Sequence, residues 1–232
     1  MKKGVVSLWP IYVCIFLSVC ILAYTGSRTI TVLAENRPIK RDITFVIDPG
    51  HGGIDGGAVS CTGKAESHLN LQIAFRLRDL LHLLGFETVM TRTTDTSIHT
   101  EGKTISAQKL SDLKERVRIV NETENAILLS IHQNFYPDSR YSGAQIFYNS
   151  TEGAKELAYD LQNAMIETVN KGSHRASKPV DGIYLMEHIQ RPGLLVECGF
   201  LSNPEEERKL QTSDYQKKLC CVIVATLAKA LV

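Results

Sequence analysis

Short apolar runs alternate along the chain with stretches in which apolar residues recur at helical spacing, a pattern typical of a sheet covered by helices. The runs predict buried strands over residues 43–47, 86–91, 126–131, 144–148 and 194–198. The helical spacing predicts helices over 65–84, 110–120, 152–169 and 214–231. Residues 93–108 and 170–182 are polar and are expected to form loops. The chain is therefore predicted to contain an α/β domain.

The N-terminus follows a different pattern. Lys2 and Lys3 precede an apolar run over residues 11–24, which with residues 4–10 approaches the roughly 20 residues that a membrane-spanning helix requires. We interpret residues 1–34 as an export segment, either a signal peptide that is cleaved or a membrane anchor that is retained, with the N-terminus inside. Residues 35–42 then form a linker, and residues 43–232 form a single exported domain outside the cytoplasm.

Composition and charge narrow the class of protein. The chain is 44% hydrophobic and 22% charged, as expected of a globular fold. Its 26 basic and 25 acidic side chains give a net charge of +1, so it lacks the basic surplus of a nucleic-acid-binding protein. Outside the apolar run the cysteines are Cys61, Cys198, Cys220 and Cys221, and the spacing permits a Cys61–Cys198 disulfide without requiring one.

Three residues that do not belong in an apolar core stand at or near predicted strand ends, where open α/β sheets present ligands. His51 lies in the turn DPGHGG after the first strand, and His132 lies in SIHQN, just past the end of the third. Glu197 interrupts the last strand, LLVEC, where an isolated charge is costly unless it has a partner. Glu66 begins the first helix and could swing to the same edge.

Two imidazoles and one carboxylate form a common catalytic zinc set, with the fourth position left for water. A second carboxylate nearby can act as general base and pass the proton to a leaving amine. The four residues therefore predict metal-assisted amide hydrolysis. Asp48 and Asn134 are candidates to orient the imidazoles, although Asp48 could instead cap the turn, and His188 either lines the cleft or lies on the surface.

A phosphate-binding role for the glycine-rich turn is disfavoured. DPGHGG has neither the GxGxxG spacing of a dinucleotide site nor the Lys-Ser/Thr pair of a P-loop.

Several segments together resemble the zinc-dependent N-acetylmuramoyl-L-alanine amidases of the amidase-3 family, from residue 43 to the C-terminus. They are DPGHGGIDGGA, KAESHLNL, SIHQN, GAQIFY and LLVECGFLSNPEEE. The resemblance implies a mostly parallel six-stranded sheet flanked by helices and one Zn²⁺ per chain. It also implies that His51, Glu66 and His132 are the zinc ligands and that Glu197 is the catalytic acid/base. The substrate would be the amide between N-acetylmuramic acid and L-alanine in peptidoglycan.

The N-terminal apolar segment, TRTTD and SDLKERV resemble the germination-specific, spore-cortex branch of that family. This branch implies action in the forespore or spore envelope during sporulation, where removal of the peptide allows muramic-δ-lactam to form. The need for an accessory protein stays open. Gln133 and Phe135 depart from the small residues usual in the family and are expected at the peptide-binding rim. Two rival functions are a non-catalytic wall-binding module and a zinc peptidase acting within the stem peptide.

Overall fold

The computed structural model describes residues 42–231. Its strands are β1 (Thr44–Pro49), β2 (Glu87–Met90), β3 (Ala126–Asn134), β4 (Gln145–Tyr148), β5 (Lys178–Pro179) and β6 (Gly193–Phe200). Its helices are α1 (Glu66–Leu83), α2 (Ile105–Glu122), α3 (Ala154–Thr168), α4 (Tyr184–His188), α5 (Pro204–Leu210) and α6 (Ser213–Ala230). The predicted export segment and all of the predicted linker except Asp42 lie outside these residues.

The six strands form one sheet in the order β2-β1-β3-β6-β4-β5. Every neighbouring pair is parallel except β4 and β6, which are antiparallel. Helices α1, α3 and α6 pack together on one face, whereas α2 and α4 cover the other. The predicted α/β class and the mostly parallel sheet of six strands are therefore confirmed.

The central strands are apolar over most of their length because helices cover both of their faces. Residues 126–131 are all buried in β3, and Leu194, Leu195 and Val196 are buried beside them in β6. Gly85 ends the first helix, as predicted, with a φ of 84° that suits a residue without a side chain. None of the helices within residues 42–231 is both long and apolar enough to cross a membrane.

The structure differs from the sequence prediction at several boundaries. Strand β3 continues to Asn134, so His132 lies inside the strand and not past its end, because pairing with β6 extends the ladder that far. Helix α2 begins at Ile105, inside the predicted loop, where the Thr104 side chain caps it by accepting from the Ala107 N–H at 3.2 Å. Two short helices and the two-residue strand β5 have too few residues to leave a periodic pattern. These elements are α4, α5 and β5.

Candidate active site

His51, Glu66 and His132 converge at the carboxyl end of the sheet, as their positions in the sequence suggested. One ligand atom from each lies within 4.8 Å of the other two. The two oxygens of Glu66 face the two rings, with Oε2 at 3.3 Å from His51 Nε2 and Oε1 at 3.0 Å from His132 Nδ1. The rings stand nearly perpendicular, with centroids 4.9 Å apart. The arrangement puts two nitrogens and a carboxylate around one point.

Two glycines make room for this cluster. A Cβ at Gly50 would overlap the ring of His132, and a Cβ at Gly57 would stand 2.6 Å from Glu66 Oε2. His51 itself has a φ of 62°, an unusual value for a residue with a side chain. The glycine-rich turn therefore serves close approach of the backbone to the three side chains.

The Glu66 carboxylate is held by neighbouring donors. Its Oε2 accepts from the Ala58 N–H at 3.0 Å, and its Oε1 accepts from the Gln133 N–H at 3.0 Å and from Asn70 Nδ2 at 3.1 Å. Burial raises its pKa, but the hydrogen bonds and charges of His132 and His51 outweigh burial and hold the pKa well below its usual range. Glu66 is therefore an ionised oxygen donor.

His51 is oriented from its other nitrogen by a residue that the sequence analysis missed. Nδ1 lies 2.9 Å from Asp55 Oδ2, and Lys109 Nζ donates to Asp55 Oδ1 at 2.8 Å. Burial lowers the pKa of His51, but Glu66 and Asp55 outweigh it and raise the pKa to about 9. A carboxylate behind an imidazole is a common support for a metal-binding histidine. In the sequence, the sign of this role was that Asp55 follows His51 by four residues.

Glu197 completes the cluster from the neighbouring strand. It pairs directly with His132 across β3 and β6, and both residues line a pocket of ≈ 270 Å³ together with His51. Its Oε2 is buried and has no hydrogen-bond partner among the described residues. Burial raises the pKa of Glu197 to about 7, although the charge of His132 lowers it. Glu197 is thus a carboxyl group able to exchange a proton near neutral pH.

The donor set fits a metal ion. Three protein ligands leave a fourth tetrahedral position, and the pocket in front of them provides space for it. Glu197, whose buried Oε2 has no hydrogen-bond partner among the described residues, is one of the residues that line that pocket.

The Amidase_3 family, described as N-acetylmuramoyl-L-alanine amidase, matches residues 45–229. The chain belongs to this family. The germination-specific N-acetylmuramoyl-L-alanine amidase of Bacillus subtilis (strain 168) is 42% identical over 189 residues, which cover 80% of this chain and 78% of that protein. AmiA of Escherichia coli (strain K12), another N-acetylmuramoyl-L-alanine amidase, is 28% identical and covers 77% of this chain and 72% of its own length.

Among solved structures, the CwlD amidase from Clostridioides difficile, in complex with the GerS lipoprotein, is similar to this chain. It has a TM-score of 0.77 and 36% identity, and the match covers 81% of this chain and 98% of that chain. The similarity therefore extends over the whole α/β domain.

In this amidase, the other sequence-predicted site residues do not contact the imidazoles. Asp48 is buried beneath the site, where it accepts from Thr91 Oγ1 and Ser130 Oγ, each at 2.7 Å, and from Arg116 Nη1. Burial raises the pKa of Asp48, but Arg116 and the two hydroxyls outweigh it and lower the pKa to about 2. Asp48 therefore acts on the site through Arg116.

Asn134 does not have its predicted role, whereas His188 lies on the surface, one of the two places predicted for it. The Asn134 carbonyl accepts from the Leu201 N–H at 2.8 Å, which ties together the ends of β3 and β6, and its side chain donates to neither imidazole. His188 lies at the end of α4 outside the active-site pocket, with its ring stacked on Tyr184 at 3.9 Å. Gln133 is 3% exposed and hydrogen-bonds Asn70, so it does not form the peptide-binding rim that was expected, whereas Phe135 is 49% exposed.

Two buried arginines, also missed from the sequence, clamp the turn that carries His51. Arg116 donates to the carbonyls of His51 and Pro49, at 2.7 and 3.0 Å, and pairs with Asp48 and Asp112. Arg92 donates to the carbonyls of Pro49 and Gly50 at 2.9 and 3.0 Å. These bonds hold the backbone on both sides of the left-handed turn.

The four cysteines of the described region are free thiols. Cys61 is exposed and Cys198 is buried, so the disulfide that the spacing permits is not formed.

Proposed function

We propose that this amidase hydrolyses the bond between N-acetylmuramic acid and L-alanine in peptidoglycan with one zinc ion, held by His51, Glu66 and His132. The observation that carries the proposal is the convergence of these three side chains beside a pocket that His51 and His132 line together with Glu197, whose Oε2 has no hydrogen-bond partner among the described residues. Zinc bound there would supply Lewis-acid polarisation of the scissile carbonyl and of water.

Glu197 is proposed as the catalytic acid/base. Its carboxylate removes a proton from the attacking water and donates it to the alanine nitrogen as the carbon–nitrogen bond breaks, leaving a lactyl carboxylate and a free amine. A pKa near 7 suits a group that must both accept and donate a proton at neutral pH. Arg116 and Asp55 contribute by fixing the backbone and the ring of His51.

We further propose that the substrate is spore-cortex peptidoglycan and that the reaction allows muramic-δ-lactam to form, and hence germination. The similarity to the germination-specific amidase of Bacillus subtilis and to CwlD supports this choice. Action in the spore envelope requires export, for which the N-terminal segment would serve as a cleaved signal or a membrane anchor. Because CwlD was solved in complex with the GerS lipoprotein, we propose that an accessory protein also acts with this chain.

The test incubates the purified full chain with cortex peptidoglycan, either zinc-loaded or chelated, and measures new N-terminal L-alanine by mass spectrometry. The zinc-loaded enzyme should release this terminus and the chelated enzyme should not. Cleavage within the stem peptide would identify a peptidase instead. A folded, zinc-loaded protein that cleaves nothing, with or without its accessory protein, would indicate a binding module.

The variant Glu197→Gln tests whether Glu197 is the general base or a metal ligand. The variant should keep zinc stoichiometry near one per chain and lose about 10²–10⁴-fold in rate, because only proton transfer is removed. Glu124→Gln, an exposed carboxylate outside the pocket, is the matched control. Loss of zinc from Glu197→Gln would show that Glu197 is a ligand.

A further inference from the structure

A second concave surface lies beside the active-site pocket. It is an open groove of ≈ 1060 Å³, called here the β4 groove, lined by residues of the loop 138–143, of the segment 169–178 and of residues 203–209. Gln145, the first residue of β4, also lines it. None of the four proposed catalytic and metal-binding residues lies in this groove.

The sheet connects the groove to the active site. Glu197 pairs with His132 on one side and with Gln145 on the other. Directly opposed residues of neighbouring strands point to the same face of a sheet. His132, Glu197 and Gln145 therefore form a row, with the metal-binding cluster at one end and the β4 groove at the other.

Arg175 stands at the groove end of this row and is held in place. Its Nη1 donates to Gln145 Oε1 at 2.7 Å, its Nε donates to the Ser142 carbonyl at 2.8 Å, and its guanidinium lies 4.6 Å from the ring centroid of Phe200. Nη2 makes no hydrogen bond within residues 42–231, and the side chain is half-buried. An oriented guanidinium with an unused donor is well suited to bind a carboxylate.

The charges of the groove favour an anion. Its basic residues outnumber the acidic ones by five to three, and the acids are already engaged: Asp138 with Arg140, Glu205 with Lys209, and Glu206 with the N–H groups of Gly143 and Phe200. Lys171, Arg175 and Lys178 form no ion pair among the described residues, although the charge of Glu206 acts on Arg175. A groove with an excess of positive charge attracts an acidic ligand.

We propose that the β4 groove binds the stem peptide of peptidoglycan and that Arg175 recognises a free carboxylate on it. This inference rests on the proposed function, because the peptide is the leaving group of that reaction and its nitrogen must lie beside Glu197. The glutamyl residue next to L-alanine carries such a carboxylate. Gln145 lies one strand spacing, about 4.8 Å, from Glu197, and Arg175 hydrogen-bonds to Gln145. The distance from Glu197 to the guanidinium is therefore roughly the length of two extended peptide residues.

The test uses two muropeptide substrates that differ only at the glutamyl carboxylate, which is free in one and a primary amide in the other. The wild-type enzyme should prefer the free carboxylate in kcat/KM by about tenfold, the value of one charge-assisted hydrogen bond at a partly exposed site. Arg175→Gln should abolish this preference by lowering kcat/KM for the carboxylate substrate alone. Arg175→Lys should restore part of it.

Arg118→Gln is the matched control, since Arg118 is an exposed arginine of α2 outside the groove. It should hydrolyse both substrates as the wild type does. An equal fall on both substrates for Arg175→Gln, or an unchanged preference, would overturn the proposal.

Binding of the free stem peptide to the full chain, measured by calorimetry, gives a readout that does not depend on hydrolysis. Arg175→Gln should weaken binding of the carboxylate peptide by about tenfold and leave the amide peptide unchanged. If the wild type cleaves neither substrate but binds the peptide through Arg175, the amidase proposal fails and the peptide site stands. No peptide binding by the wild type, or Arg175-dependent binding of a peptide-free glycan instead, would overturn the peptide site.

Discussion

The two sides of Glu197, towards His132 and towards Gln145, each contain an arginine, but the two arginines have different surroundings. On the His132 side, Arg116 is 3% exposed in its side chain and is surrounded by two carboxylates and two backbone carbonyls. On the Gln145 side, Arg175 borders an open groove and bonds only to a neutral amide and a carbonyl. One arginine is an internal support for the metal-binding turn, and the other faces the space that a substrate would enter.

The difference has a physical cause. A buried guanidinium must be fully paired because an uncompensated charge in the interior is costly, and full pairing leaves it no capacity for a ligand. A half-buried guanidinium keeps part of its hydration and can retain a free donor. Changes on the His132 side should therefore cost stability and metal binding, whereas changes on the Gln145 side should alter substrate selection and leave the fold intact.

Arg116→Met should produce the largest loss of stability. Removing the guanidinium leaves Asp48 and Asp112 as buried carboxylates without a cation, and breaking a buried pair in this way costs about 3–5 kcal/mol. Urea denaturation of the metal-free protein should show the change as a lower midpoint with the same slope. Arg118 lies two residues after Arg116 in the same helix and is exposed. The control variant Arg118→Met should therefore leave the midpoint unchanged.

Equal midpoints for Arg116→Met and the wild type would contradict the view that this arginine supports the turn. They would mean that the two carboxylates are protonated or solvated in the folded protein.

The sequence was sufficient for the fold class and for the group of side chains at the site. Three of the four site residues were detectable because His132 and Glu197 follow or interrupt apolar strands and His51 lies in a glycine-rich turn. Glu66 was a candidate because it begins the helix that follows this turn. Arg116 was not, since a buried arginine on an amphipathic helix has the same sequence pattern as an exposed one. What distinguishes it is Asp48, which lies 68 residues away in sequence.

The groove was missed for a related reason. It is formed by loops and short elements whose positions depend on tertiary contacts, among them the two-residue strand β5. Arg175 falls in a segment predicted only as a loop, and its role depends on Gln145, which is 30 residues away in sequence.

The stability of the metal-free protein should also depend on pH, through His51. The pKa of His51 is raised from 6.5 to about 9, so its charged form stabilises the metal-free protein below pH 6.5, and this contribution is lost as the pH rises through 9. The loss should reach up to ~3 kcal/mol by pH 10. Denaturation midpoints measured from pH 6 to 10 with a chelator present test it.

Asp55→Asn makes the test specific to His51. Asp55 is one of two carboxylates that raise this pKa, so in the variant the loss of stability should begin at lower pH. Saturating zinc should remove the pH dependence in the wild type, because a metal ion replaces the proton on the imidazole. Identical pH profiles for the two metal-free proteins would show that Asp55 does not stabilise a charged His51.

The smallest effect on stability is expected from Arg175→Gln. The substitution removes two hydrogen bonds to neutral acceptors and one contact with the Phe200 ring, but water can reach the groups that are left behind. The nearby carboxylate of Glu206 loses the charge of Arg175 but is only partly buried and keeps its hydrogen bonds from the Gly143 and Phe200 N–H groups. The cost should therefore be about 1 kcal/mol, against about 3–5 kcal/mol for Arg116→Met. Urea denaturation under the same conditions compares the two directly. A loss of stability as large as that of Arg116→Met would show that Arg175 is also an internal support. Any change in substrate preference would then result from a distorted sheet edge and not from a lost contact with the substrate carboxylate.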